Sequence, residues 1–133
     1  MRVWTNGCFD ILHRGHIELF KFASLLGDEL VVGVDTDEKV KLDKGKDRPI
    51  NNLQDRMLIL QSIKYIDKVI PFDSTEDLRK TIRWYNPDIM VIGSDWKGKD
   101  VIGQEFTDKL VFFDRIEGYS TTDMIGKIWK KVW

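Results

Sequence analysis

His13 and His16 stand three residues apart with Gly15 between them, and they are the only histidines in the chain. An imidazole N–H donates to phosphate oxygens, and its proton exchanges near neutral pH. Both residues follow Asn6-Gly7, a turn signal, and lead into an apolar run with helical spacing. At a helix start this spacing brings the two rings near one face, above backbone N–H groups that lack intrahelical partners. Such a place attracts anions, phosphate above all. Gly7 and Gly15 omit side chains that obstruct a phosphate chain. The plainer reading has His13 capping the helix and His16 filling the core. A zinc site lacks ligands, since Cys8 is the single cysteine and no third histidine exists. No metal ligand is assigned.

The elements that must position these rings alternate in type. Arg2–Thr5 reads as a short strand, and Ile11–Leu26 carries Ile17, Leu19, Phe20, Phe22, Ala23, Leu25 and Leu26 at helical spacing, with Gly27 as a C-terminal cap. Glu29–Asp35 is an apolar, β-branched run suited to a buried parallel strand. Lys39–Asn52, rich in Lys, Asp and Gly, reads as a mobile basic loop. Leu53–Ile66 is helical, Lys68–Phe72 a strand, and Thr75–Tyr85 a helix capped by Ser74 or Thr75 and ended by Asn86-Pro87. Ile89–Gly93 and Leu110–Phe113 are further strands, and Ser120–Val132 closes the chain as a helix. This alternation predicts an α/β fold, a Rossmann-like open parallel sheet with helices on both faces, formed by residues 1–133 as one domain. Ligands of such sheets bind beyond the carboxyl ends of the strands. That rule selects Asn6–His16, Asp35–Lys44, Gly93–Lys99 and Asp114–Thr122, the segments richest in Gly, His, Lys, Arg, Ser and Thr.

Composition narrows the partners. A formal net charge of −1 gives no global field for nucleic acid, so any anion site is local. No apolar run approaches the ~18 residues of a membrane span. The lone cysteine fits a reducing compartment, and a cytoplasmic protein is the default expectation. Trp129 and Trp133 lie four apart at the C-terminal end, a stripe suited to packing or to a homodimer interface.

Gly7-Cys8-Phe9-Asp10 followed by His13-Arg14-Gly15-His16 resembles the HxGH signature of the cytidylyltransferase-like nucleotidyltransferases. Lys44-Gly45, Arg48-Pro49 and Arg56 resemble that family's basic loop and following helix. Gly93-Ser94-Asp95-Trp96-Lys97-Gly98-Lys99 is similar to the GxDWxGK segment of glycerol-3-phosphate cytidylyltransferases. Arg115–Thr122 is similar to the RTEGxSTT signature, with Ile116 replacing its Thr. Asn6–Asp10 and Val40–Pro49 look more like the adenylyltransferases that activate heptose 1-phosphate.

The resemblance implies in-line attack by a substrate phosphate oxygen on the α-phosphorus of an NTP, with pyrophosphate leaving. Positioning and electrostatic stabilisation then supply most of the catalysis. It implies catalytic roles for His13, His16, Lys44 and Arg115. Nucleotide-binding roles fall to Asn6, Gly7, Cys8, Phe9, Asp10, Gly15, Gly93, Asp95, Ser120, Thr121 and Thr122. Substrate-binding roles fall to Asp35, Lys41, Arg56 and Trp96, and Mg2+ is expected to arrive with the NTP. The favoured reading is transfer of CMP from CTP to a polyol phosphate such as glycerol 3-phosphate. The alternatives are ATP-dependent adenylyl transfer to a sugar 1-phosphate of heptose type, and a nucleotide-binding regulator without turnover.

Overall fold

The computed structural model describes residues 1–132. Its centre is a five-stranded, all-parallel sheet in the order β3-β2-β1-β4-β5. The strands are β1 (Arg2–Gly7), β2 (Glu29–Asp35), β3 (Lys68–Phe72), β4 (Ile89–Gly93) and β5 (Lys109–Phe113). Five helices connect or follow them: α1 (Arg14–Ser24), α2 (Asp37–Lys44), α3 (Leu53–Gln61), α4 (Thr75–Tyr85) and α5 (Thr121–Val132). Short 3-10 turns at Ser94–Trp96 and Gln104–Phe106 lie between β4 and β5. The expected Rossmann-like fold is the observed one. No helix among the described residues is long and apolar enough to cross a membrane.

Side chains alternate across each strand, and the alternation builds two apolar layers. Val3, Leu30, Val32, Val34, Ile89 and Val91 face one side, where Phe20 and Ala23 of α1 and Leu60 of α3 cover them. Trp4, Val31 and Met90 face the other, covered by Leu78, Ile82 and Tyr85 of α4. Each large side chain so buried contributes about 1.5–3 kcal/mol relative to exposure. Pro71 sits in β3, at a sheet edge where a missing N–H is tolerated. Trp4 is fully buried, and a Cβ on Gly33 would lie 2.5 Å from its indole, so β2 needs glycine at that point.

Four local expectations change. Helix α3 ends at Gln61, five residues short of the expected Ile66. Residues 39–44, the first part of the expected 39–52 loop, belong to α2 and are helical; one buried side chain, Val40, docks α2 among polar neighbours that hid it in the sequence. Gly27 is not the cap of α1, whose C-cap is Leu25. Its role is close approach, because a Cβ there would lie 2.5 Å from the Met1 carbonyl oxygen. Trp133 lies outside the described residues, so the Trp129–Trp133 stripe reduces to Ile128, Trp129 and Val132, all exposed on α5.

Candidate active site

β1 lies at the topological switch point. The chain runs outward from it through β2 to β3, then returns to pair β4 on its other side. A cleft of about 750 Å3 opens there, beyond the carboxyl ends of the strands.

Its floor is the turn between β1 and α1. His13 is the N-cap of α1, and its Nδ1 accepts from the Gly15 N–H at 3.0 Å. The His13 N–H donates to His16 Nδ1 at 3.2 Å, closing a reciprocal capping box. Because both Nδ1 atoms accept, each neutral ring carries its proton on Nε2, and that N–H remains available to the cleft. Burial, reinforced by Arg115, lowers the His13 pKa. Burial first, then His13, Lys44 and Arg115, lowers the His16 pKa to about 4. Both rings are therefore neutral donors at pH 7.

The neighbours of this pair fix its geometry. The two ring centroids are 4.0 Å apart, and Tyr119 stacks on His13 at 6.0 Å. A Cβ on Gly15 would lie 2.8 Å from His13 Cε1, and one on Gly7 would lie 3.0 Å from the Phe9 ring. These glycines make room for side chains of the site itself, a reason beyond the room for phosphate expected from sequence. Phe9 departs from the expected nucleotide contact. Its backbone is left-handed at φ 49°, its side chain is buried, and it presents to His16 and Phe20 at 5.6 and 5.2 Å.

Asp10 also lies behind the cleft wall. Its carboxylate accepts from the Ile50 and Asn51 N–H groups at 2.7 and 2.8 Å, and from Arg48 Nε at 3.4 Å. The aspartate thus ties the segment after α2 to the histidine turn, and its buried oxygens face protein donors. Arg48, absent from the expected set of site residues, lines the cleft as a result.

Arg56 is the clearest correction. Its side chain is fully buried and four of its five N–H donors go to protein: Nε to the Asn51 carbonyl, Nη1 to those of Cys8 and Asp35, and Nη2 to Asp37. It joins the ends of β1 and β2 to α2 and α3 and does not reach the cleft. Lys41 is exposed and is likewise absent from the cleft wall.

The structure brings the remaining expected residues together. Asn6, Gly7, Cys8, Asp35 and Lys44 line the β1–β2 side; Gly93, Asp95, Trp96, Arg115, Ser120, Thr121 and Thr122 line the β4–β5 side. Burial pushes the Cys8 thiol above its ordinary pKa, so it stays protonated. Ser120 Oγ accepts from the Asp123 N–H at 3.0 Å, capping α5, and Thr121 Oγ1 donates to the Ile11 carbonyl at 2.8 Å. The N-terminus of α5 is thereby pinned against the histidine turn, where its N–H groups suit an anion. Sequence reasoning missed Lys39, Arg48, Thr75 and Tyr119 as wall residues. Arg48 and Tyr119 fall within the motifs quoted above and Lys39 within the Asp35–Lys44 segment, so of these four only Thr75 had no signal. Among the described residues no group of three His, Cys, Asp or Glu is placed to hold a metal ion.

A family profile described as cytidylyltransferase-like matches residues 4–127. Bifunctional protein HldE of Campylobacter fetus is 45% identical over 126 residues, covering 95% of this chain and 27% of the relative. The protein of the same name from Helicobacter hepaticus is 44% identical over 128 residues, covering 95% of this chain and 26% of its own. The chain thus spans about a quarter of the length of these curated relatives. A solved structure, the lipopolysaccharide core biosynthesis protein of Thermoplasma volcanium, superposes with a TM-score of 0.70 at 35% identity, covering 90% of this chain and 98% of that one.

These findings overturn the favoured reading of CMP transfer from CTP to glycerol 3-phosphate. Eight relatives 41–45% identical across this length all carry the HldE name and none a cytidylyltransferase name. The similarity to CTP enzymes in Gly93–Lys99 and Arg115–Thr122 is local, whereas the relatives match throughout. Sheet order, histidine turn and the span of the profile match together make the chain a member of the cytidylyltransferase-like family.

Proposed function

We propose that this chain is an adenylyltransferase, moving AMP from ATP to a sugar 1-phosphate of heptose type and releasing pyrophosphate. The observation that carries the nucleotidyl chemistry is the reciprocal capping of His13 and His16, which leaves two neutral Nε2–H donors for the cleft. The relatives named HldE, together with the heptose-type pattern of Asn6–Asp10 and Val40–Pro49, support the choice of ATP. A lipopolysaccharide core is an oligosaccharide built from nucleotide-activated sugars, so the structural neighbour supports a sugar acceptor.

An acceptor phosphate oxygen attacks the α-phosphorus in line, a new P–O bond forms, and the bond to the β-phosphate oxygen breaks. The acceptor phosphate is ionised near neutral pH, so no general base is required. His13 and His16 donate to triphosphate oxygens as their charge grows. Lys44 and Arg48 on one side, and Arg115 with the Ser120–Thr122 helix start on the other, neutralise phosphate. Magnesium is proposed as the counter-ion of ATP, held by its phosphates; no step is assigned to a protein-bound ion.

The same reading includes a homodimer through α5, whose exposed Ile128, Trp129 and Val132 join Ile11, Ile50 and Ile125 in an apolar groove. Sedimentation equilibrium tests it, a monomer at all concentrations excluding it. For the reaction, phosphorus NMR of ATP, magnesium and heptose 1-phosphate should show pyrophosphate and a sugar-linked diphosphate appearing together. ATP loss to ADP and inorganic phosphate instead would contradict the reading.

A further inference from the structure

Lys39 falls within the Asp35–Lys44 segment, where the sequence does not set it apart from the other lysines, yet its side chain is only 16% exposed. It lies on the first turn of α2 and lines the cleft. Its Nζ is 2.7 Å from Asp43 Oδ2 and 3.8 Å from Asp35 Oδ1, and it sits 5.8 Å from the centroid of the Phe72 ring. Three contacts from β2, β3 and α2 thus hold one ammonium. Such a lysine differs from a solvated surface lysine, whose long stem samples many rotamers.

Asp35 ends β2 and faces the cleft with its side chain 13% exposed. An ionised carboxylate accepts hydrogen bonds and repels phosphate. It therefore suits the hydroxyl groups of an acceptor, not its phosphate. Phe72 and Thr75 line the cleft beside it, an apolar wall and a hydroxyl. We propose, on the footing of the sugar-phosphate reading above, that Lys39 is a positioning residue for the acceptor: its ammonium, held between Asp43 and Asp35 over Phe72, orients the Asp35 carboxylate to accept hydrogen bonds from acceptor hydroxyls.

The charges around Asp35 agree with this division of labour. Burial pushes its carboxyl above the usual carboxylate range; Lys39 is the largest opposing influence, Asp43 adds to the rise, and Lys44 and Arg56 oppose it. Without Lys39 the carboxyl rises further and loses its fixed partner. Lys39 touches no reacting atom, so its removal should act on acceptor affinity and leave the chemical step.

The test is steady-state kinetics of the whole chain with ATP, magnesium and heptose 1-phosphate, comparing wild type, Lys39→Met and Lys39→Arg. Lys39→Met should raise the acceptor KM by about tenfold, as for one lost charge-assisted contact, with kcat and the ATP KM within about twofold. The acid limb of kcat/KM for the acceptor should move to higher pH. Lys39→Arg should restore most of the affinity. An unchanged acceptor KM in Lys39→Met, or equal losses in kcat and ATP KM, overturns the inference while leaving the reaction standing. No turnover by wild type overturns the sugar-phosphate reading, and this inference with it.

Discussion

His13 and His16 each accept a backbone N–H through Nδ1, at 3.0 and 3.2 Å, so the structural duty of both rings falls on one nitrogen and leaves the other free. The two readings of these histidines from sequence, helix cap or phosphate donor, are therefore not rivals. Capping sets the tautomer that makes each ring a donor.

The two duties separate by mutation. An Asn side chain places an oxygen where His16 has Nδ1 but nothing where it has Nε2. His16→Asn should keep the fold, with melting temperature within a few degrees, and lose at least about 100-fold in kcat, the scale for one preorganised donor. His16→Gln keeps a donor near Nε2 and loses the cap, at a cost of ~0.5–2 kcal/mol in stability. Thermal melts and initial rates of both variants check this; equal activity of wild type and His16→Asn would remove the ring from catalysis.

Gly15→Ala sets two effects against each other. Alanine favours a helix by about 1 kcal/mol over glycine, but its Cβ would lie 2.8 Å from His13 Cε1. The ring is the part that can move, so the expected outcome is little change in stability with at least about a tenfold loss of turnover. A variant as active as wild type would show that the His13 pose is not needed.

The His16 pKa predicts an acid-side instability. Its folded-state value of about 4 lies below the 6.5 of an unperturbed histidine. As pH falls below 6.5 the unfolded chain takes up the proton first, so stability is complete above that pH and declines towards pH 4. This group contributes a slope of up to ~1.4 kcal/mol per pH unit. Urea unfolding between pH 7 and 4 should show a steeper decline for wild type than for His16→Asn; parallel declines would contradict the burial of the ring.

Asp10 is placed to hold structure, with two backbone N–H groups and Arg48 on its buried carboxylate. Asp10→Asn turns one acceptor into a donor against those groups, so a loss of ~2–4 kcal/mol is expected. Calorimetric ATP affinity, measured where the variant is folded, should change by less than about threefold. A larger loss of affinity with stability intact would return Asp10 to the nucleotide site.

Much of this was legible in the sequence, and the misses share a cause. Strand–helix alternation, the switch-point rule and the motif segments suffice for the fold and most of the cleft wall, because periodicity and Gly-rich turns are local signals. Ser74 and Asn86 likewise announce the ends of α4, as N-cap and as left-handed C-cap. Arg56, Asp10 and Phe9 look like ligands in sequence because charge and position in a motif do not report burial. Asp10 and Arg56 face inward because the 48–51 segment and α2 supply their partners, and Phe9 because it packs on His16 and Phe20 of α1. Lys39 failed in the other direction: its partners Asp35 and Phe72 come from two strands. The choice of base was settled by neither periodicity nor motif, since CTP-like and heptose-type segments coexist in one chain.

The central claim is tested most directly by pyrophosphate release with magnesium, supplying ATP and CTP separately with heptose 1-phosphate and with glycerol 3-phosphate. ATP with the sugar 1-phosphate should turn over at least about tenfold faster than any other pairing, since a site built to hydrogen-bond one base rejects another strongly. Faster release with CTP and glycerol 3-phosphate would contradict the account.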